Sequence, residues 1–283
     1  MPTSKQHLPA IDSQVADLAG FCLAIRRFGI TATNSILAAV GNTYIDNASV
    51  AVLGELRGGA AVRLRDLSQH LELPSPTLSR VIDKMEDNGD VRRRPGPLDG
   101  DGRAVTVEIT GPGAERARRT EAALLADAAA SRHDLDEAKR CLDDLRPPSA
   151  STDLDEDVGD VGLCGAMARS GIRLVHVLKE ISESGDVTEA LALMALADGT
   201  DSRPTQIGVQ VGLSSGGTTK VLDRLERSGS IERSFGMPGD RRGVSVRLTS
   251  RGAAQLERMA ADISPHVAEL RPVIVSILGH FDD

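Results

Sequence analysis

Hydroxyl and cationic side chains cluster at matching places in the two halves of this 283-residue sequence, and their types suit anion binding rather than bond-making chemistry. Thr77, Ser79 and Arg80 stand together, followed by Lys84; about 140 residues later come Ser215, Gly216, Thr218, Thr219 and Lys220, followed by Arg224. Downstream of each group lies a second one rich in arginine: Arg92, Arg94 and Arg103 in the first half, Arg241 and Arg242 in the second. Guanidinium and ammonium groups satisfy phosphate oxygens, and hydroxyls add neutral donors beside them. Gly216 and Gly217 carry no side chain, so backbone there can approach a phosphate closely. No local nucleophile motif or Gly-rich phosphate loop stands out. The six His form no i, i+4 pair, and Cys22, Cys141 and Cys164 are too scattered for a zinc site or a disulfide framework. No catalytic residue, metal site or cofactor is expected, and the chain is not read as an enzyme.

These side chains need elements to hold them. Leu64, Leu67 and Leu71 predict a short amphipathic helix over 64–71, and 72–74 make a turn. Ser75 can cap a second helix, with Pro76 at its first position and Leu78, Val81, Ile82 and Met85 as its apolar face, ending near Asn88-Gly89. The second half repeats the pattern: Ile207 and Val211 on one helix, a turn at 212–214, then Val221, Leu222 and Leu225 on the next, which ends at Ser228-Gly229. Thr77 to Arg80 and Ser215 to Lys220 thus fall at the N-terminal ends of the second helices, the end that reads base edges when such a helix enters the major groove. Alternating Val105, Val107 and Ile109, and likewise Val244, Val246 and Leu248, predict half-buried strands. The turn-rich segments before them, PGPLDGDGR (95–103) and GMPGDRRG (236–243), are expected to form the projecting tips of two hairpins. An arginine on such a tip suits the adjacent minor groove, and Arg242 is the best placed, with Asp240 orienting a neighbouring arginine.

The halves are similar over more than these groups. GFCLAIRRFGI at 20–30 resembles GLCGAMARSGI at 162–172, SRVIDKMEDNG at 79–89 resembles TKVLDRLERSG at 219–229, and Thr110-Gly-Pro-Gly113 corresponds to Thr249-Ser-Arg-Gly252. Between the copies runs RPPSASTDLDEDVGD at 146–160, whose prolines, small polar residues and acids read as a connector. The expected organisation is one domain over 1–147, a linker at 148–160 and a second domain over 161–283.

Composition bounds the reading. Apolar residues make up 40% and charged residues 26%, as in a folded globular protein, but aromatics are only 2% with no Trp, which disfavours a base-stacking platform. Net charge is −8, so any basic footprint must be local. Residues 203–251 hold nine Arg and Lys against four Asp and Glu, while 63–110 hold eight against nine, which makes the second copy the stronger electrostatic anchor. The apolar stretch 21–40 is broken by Arg26, Arg27 and Asn34 and no basic-then-apolar leader opens the chain, so a cytoplasmic protein without a membrane partner is expected.

With its second-helix spacing Asp83 to Glu86 and Asp223 to Glu226, its hairpins and the following Thr-x-x-Gly, the sequence resembles the MarR family of bacterial winged helix-turn-helix regulators, twice over. The first copy departs from the usual hairpin tip, with Asp101-Gly102-Arg103 where the second has Asp240-Arg241-Arg242. The resemblance implies a mainly α fold with small β-hairpin wings: two winged helix-turn-helix domains with flanking dimerisation-type helices. It also implies double-stranded DNA as partner and transcriptional regulation, commonly repression relieved by a small-molecule effector, which the sequence does not identify. Covalent linkage of two modules predicts an intramolecular pseudo-dimer, with 16–40 and 114–145 packing against 161–181 and 253–281, and an asymmetric site because the reading helices differ. Association of two chains stays open. Cys22 and Cys164, among Leu, Ile, Ala and Met, are expected in the core rather than as redox sensors. Overall acidity motivates the alternative, a ligand- or protein-binding regulator with weak or absent DNA binding.

Overall fold

The computed structural model describes residues 11–41, 46–95, 105–144, 155–182, 184–237, 240–267 and 271–279. In the first half α1 (Ser13–Val40), α2 (Asn47–Glu55) and a two-residue strand β1 (Val62–Arg63) lead into α3 (Leu64–His70) and α4 (Ser75–Asp87). Leu67, Leu71, Leu78, Val81, Ile82 and Met85 are all buried, so the apolar spacing places the α3–α4 contact as expected. The cap differs. Pro74, not Ser75, is the N-cap of α4, and its carbonyl accepts from the N–H groups of Thr77 (2.8 Å) and Leu78 (3.0 Å). Pro76 has no N–H, which leaves one fewer donor for a hydroxyl to satisfy. Strands β2 (Val91–Pro95) and β3 (Val105–Ile109) complete a three-stranded antiparallel sheet in the order β1-β3-β2. Val107 is buried, but Val105 is exposed and Thr106 is buried with its hydroxyl donating to the Arg94 carbonyl at 3.3 Å, so alternation is imperfect.

The second half follows the same order: α7 (Asp155–Ile181), α8 (Val187–Met194), α9 (Pro204–Val211), α10 (Ser215–Arg227), β4 (Ile231–Met237) and β5 (Asp240–Leu248). Ser214 caps α10, accepting from the Gly217 N–H at 3.2 Å, and the counterpart of β1 is a single bridge between Ser202 and Val246. The segment 236–243, expected as a turn-rich tip, is mostly strand, with Met237 paired to Asp240. Residues 238–239, between the two strands, lie outside the described residues.

The flanking segment 114–145 holds two helices, α5 (Gly111–Ala130) and α6 (Arg132–Asp144), with Ser131 as C-cap of the first. The segment 253–281 holds α11 (Ser250–Val267) and α12 (Arg271–Gly279). Pro265 lies in the last turn of α11, where it removes a backbone donor. Helix α7 starts at Asp155, inside the acidic stretch read as linker. It is interrupted at Gly162 (φ 70°, ψ 162°), where a Cβ would meet the Arg57 guanidinium beside Glu121. The remainder of the proposed linker, 148–154, lies outside the described residues.

Contacts divide the chain into two compact units, neither of them a continuous stretch. One holds α1 as far as Phe28, α6 from His133, the end of α7 from Val175, and α8 to α11. The other holds α1 from Gly29, α2 to α5, α7 as far as Leu174, and α12. Each helix-turn-helix is therefore accompanied by helix from the opposite half of the sequence. In the first unit the Arg26 Nε of α1 donates to the Val211 carbonyl at the end of α9 (3.4 Å), and Arg27 pairs with Asp134 (2.8 Å) and Glu137 (2.6 Å) of α6. In the second, Arg169 of α7 pairs with Glu55 of α2 (3.3 Å), and Arg173 with Glu72 in the α3–α4 turn. Among the described residues no helix is long and apolar enough to cross a membrane.

Candidate nucleic-acid interface

The side chains of each reading helix are sorted by its apolar face. On α4, Leu78, Val81, Ile82 and Met85 are buried, which turns Thr77, Arg80 and Lys84 outward and leaves Ser79 half-buried. On α10, Val221, Leu222 and Leu225 are buried, and Ser215, Gly216, Thr219 and Lys220 are exposed. Two residues expected at the α10 surface are otherwise engaged. Thr218 is buried and its hydroxyl donates to the Ser214 carbonyl (3.0 Å), because its position faces the α9 packing surface. Arg224, near the C-terminal end of α10, is held by Asp186 and Glu189 at the start of α8, so its charge ties α10 to α8. Against the opposing burial of its carboxylate, hydrogen bonds from Thr188 and the Arg224 charge hold Asp186 below the usual range.

An arginine on the first hairpin strand fixes each reading helix. The Arg93 N–H and Nη1 donate to Glu86 (2.8 and 2.7 Å) and its Nη2 pairs with Asp83 at 2.7 Å; Arg233 Nη1 pairs with Asp223 at 2.7 Å and Glu226 at 3.0 Å. The backbone N–H of Arg93 is the leading reason that the Glu86 carboxylate titrates below its ordinary value, and the Arg93 guanidinium adds to it. This assigns a purpose to the Asp-x-x-Glu spacing. The two acids sit one turn apart on a face beside the sheet, where one guanidinium spans both. Sequence reading missed Arg93 and Arg233 as partners; their signal was an arginine seven residues after each glutamate.

Behind the hairpins, Thr110 and Thr249 do the same work. Each hydroxyl accepts from the N–H of the glycine three residues on, at 3.1 Å, and donates back to the end of the reading helix: Thr110 to the Gly89 carbonyl (2.5 Å), Thr249 to Gly229 (2.6 Å). With the reading helix, its arginine clamp and this hydroxyl turn in place, the first module can be compared with known proteins. Residues 47–105 match the MarR family. The matched stretch runs from the first residue of α2 to the first of β3, so it contains the whole α3–α4 pair and the arginine clamp. No curated protein matches the chain.

The remaining arginines of the matched first half and its counterpart are placed unequally. Arg92 and Arg94 lie two apart on β2 and share one face of the hairpin, where both donate to the Glu108 carboxylate of β3. That pairing partly neutralises the cluster expected to face DNA. Arg103 lies outside the described residues; Arg241 and Arg242 are on β5, with their side chains outside the description. Phe235 on β4 is 79% exposed, an aromatic that the hydrophobic pattern did not single out.

The cysteines differ from one another. Burial pushes the Cys22 and Cys164 thiols up to about 12, and Cys141, half-buried, is raised less. The thiolate is the reactive form, so both buried thiols are inert near neutral pH. At pH 8 a water-soluble alkylating reagent is expected to modify Cys141 in the native protein and the other two only after unfolding, as read by mass spectrometry. Native-state labelling of Cys22 or Cys164 at the rate of Cys141 would contradict this.

Proposed function

We propose that the chain is a DNA-binding transcriptional regulator, acting as a repressor in the cytoplasm. Two non-identical winged helix-turn-helix modules, at 1–147 and 161–283, engage an asymmetric duplex site. What carries this reading is the recurrence, in both halves, of an exposed polar helix end held by an arginine clamp and followed by an arginine-bearing hairpin, with the MarR match over one of them. The exchange of helices between halves supports a covalent pseudo-dimer: Arg26 reaches the second helix-turn-helix, and Arg169 and Arg173 reach the first. Joining two modules raises the local concentration of the second once the first is bound, without a new contact. The chain acts by binding rather than catalysis, and a small molecule that releases it from DNA completes the proposal.

The test is selection of genomic duplex DNA by the purified full chain over a salt series, comparing wild type with Arg242→Ala. Wild type is expected to bind with affinity falling steeply as salt rises, because phosphate contacts release counterions. Arg242→Ala is expected to weaken binding by about 1 kcal/mol or more. Absent or salt-insensitive binding would favour a regulator that recognises a ligand or a protein instead.

A further inference from the structure

We propose that the two modules divide the work on DNA: α4 reads bases through Arg80, with Thr77 beside it, while α10 anchors the phosphate backbone and adds little base information. This rests on the DNA-binding reading above. The two reading helices have 13 residues each and start at Ser75 and Ser215, so they compare position by position. At the third position α4 presents an exposed Thr77, where α10 has Gly217 and no side chain. At the fourth both are buried, Leu78 and Thr218. At the fifth, the Thr219 hydroxyl is turned back onto its own helix, donating to the Ser215 carbonyl at 3.0 Å. At the sixth, Arg80 corresponds to Lys220, both exposed; at the tenth, Lys84 is exposed while Arg224 is taken by Asp186 and Glu189.

The chemistry of the sixth position separates the two helices. A guanidinium presents a planar fork that bonds guanine O6 and N7 together, whereas an ammonium is a point charge that serves any phosphate. Gly216 and Gly217 leave the exposed N-terminal end of α10 with backbone, Ser215, Lys220 and a Thr219 whose hydroxyl proton is given to its own helix. Charge runs the other way. The nine cations against four acids over 203–251 give the second module the sequence-independent attraction that 63–110 lacks. Specificity and affinity are thus concentrated in different halves of one chain, which a symmetric dimer of identical chains cannot do.

The experiment uses the full chain and two duplexes, one selected from a randomised library by wild type and a scrambled version of it, titrated over a salt series with wild type, Arg80→Ala, Arg80→Lys and Lys220→Ala. All three substitutions are at exposed positions, and circular dichroism checks that folding is intact. Arg80→Ala is expected to lose roughly 5- to 100-fold on the selected duplex with little change on the scrambled one, and library selection with it loses base preference in one half of the site only. Arg80→Lys restores the salt slope but not the preference. Lys220→Ala weakens both duplexes alike and lowers the salt slope by about one. The division is overturned if Lys220→Ala erases base preference while Arg80→Ala weakens both duplexes equally, or if the selected site has two half-sites of equal information. If wild type binds neither duplex, the DNA-binding reading fails and takes the division with it.

Discussion

Gly252→Ala is expected to destabilise the second module by about 2 to 3 kcal/mol, through overpacking rather than helix propensity. A Cβ at this position would overlap the Ser230 carbonyl oxygen and press on the Leu248 side chain. That carbonyl cannot retreat, because it already accepts from the Thr249 N–H at 3.0 Å and the Thr249 hydroxyl at 3.2 Å, the bonds that join the end of α10 to the start of α11. Gly113→Ala should behave the same way in the other unit: the Asp90 carbonyl stands in the same place and accepts from the Thr110 N–H (2.9 Å) and hydroxyl (3.0 Å). Gly216→Ala is the control. It sits in α10 with nothing within 4 Å of a new Cβ, so gain in helix propensity should leave stability unchanged or raise it by up to about 1 kcal/mol. Denaturant unfolding of the full chain reads all three, and a Gly252→Ala midpoint equal to wild type would show that α11 can shift freely.

Arg116→Gln is expected to cost about 3 kcal/mol by stranding a buried carboxylate. Asp90 is fully buried at the junction of α4 and β2; its Oδ1 accepts from Arg116 Nε at 2.8 Å, and its Oδ2 has no hydrogen-bond partner. The second half builds the same junction from neutral groups: Ser230 donates to Gln255 Oε1 at 2.9 Å, with both residues buried. One node therefore occurs in charged and uncharged form within a single chain. Asp90→Ser combined with Arg116→Gln should return stability to within about 1 kcal/mol of wild type, because the second change removes the buried carboxylate that Arg116→Gln alone strands. Strict additivity of the two single changes in unfolding free energy would show that the pair is not coupled.

Much of each module is legible locally. Helix α4 follows from Leu78, Val81, Ile82 and Met85, because burial of one face imposes its period on the sequence; alternate valines locate β3, but Val105 is exposed and Thr106 buried, so they do not fix its buried face. The same logic points outward: Thr77, Arg80 and Lys220 are exposed because they lie off the buried faces of their helices. Local pattern cannot say what an exposed charge does next. Arg224 and Lys84 occupy equivalent positions, yet only Arg224 meets a helix start carrying Asp186 and Glu189. Arg92 and Arg94 look like a basic patch until the hairpin register sets Glu108 opposite Arg92 and within reach of Arg94. Partners of this kind lie 14 to 38 residues away in the chain, beyond any helical or strand period.

The sequence by itself determined the repeated order of elements, the two helix-turn-helix pairs and the Asp-x-x-Glu and Thr-x-x-Gly spacings, though not what those spacings lock, since periodicity, turn residues and internal similarity are all read within short windows. Tertiary structure decided which of the cations remain available and which helix accompanies which module. Arg26 belongs with α9, and Arg169 with α2, through contacts spanning 185 and 114 residues. The reason is physical: a hydrophobic stripe states that a helix must be covered, but any complementary stripe can cover it, so the choice between the near half and the far half is made only when the chain packs.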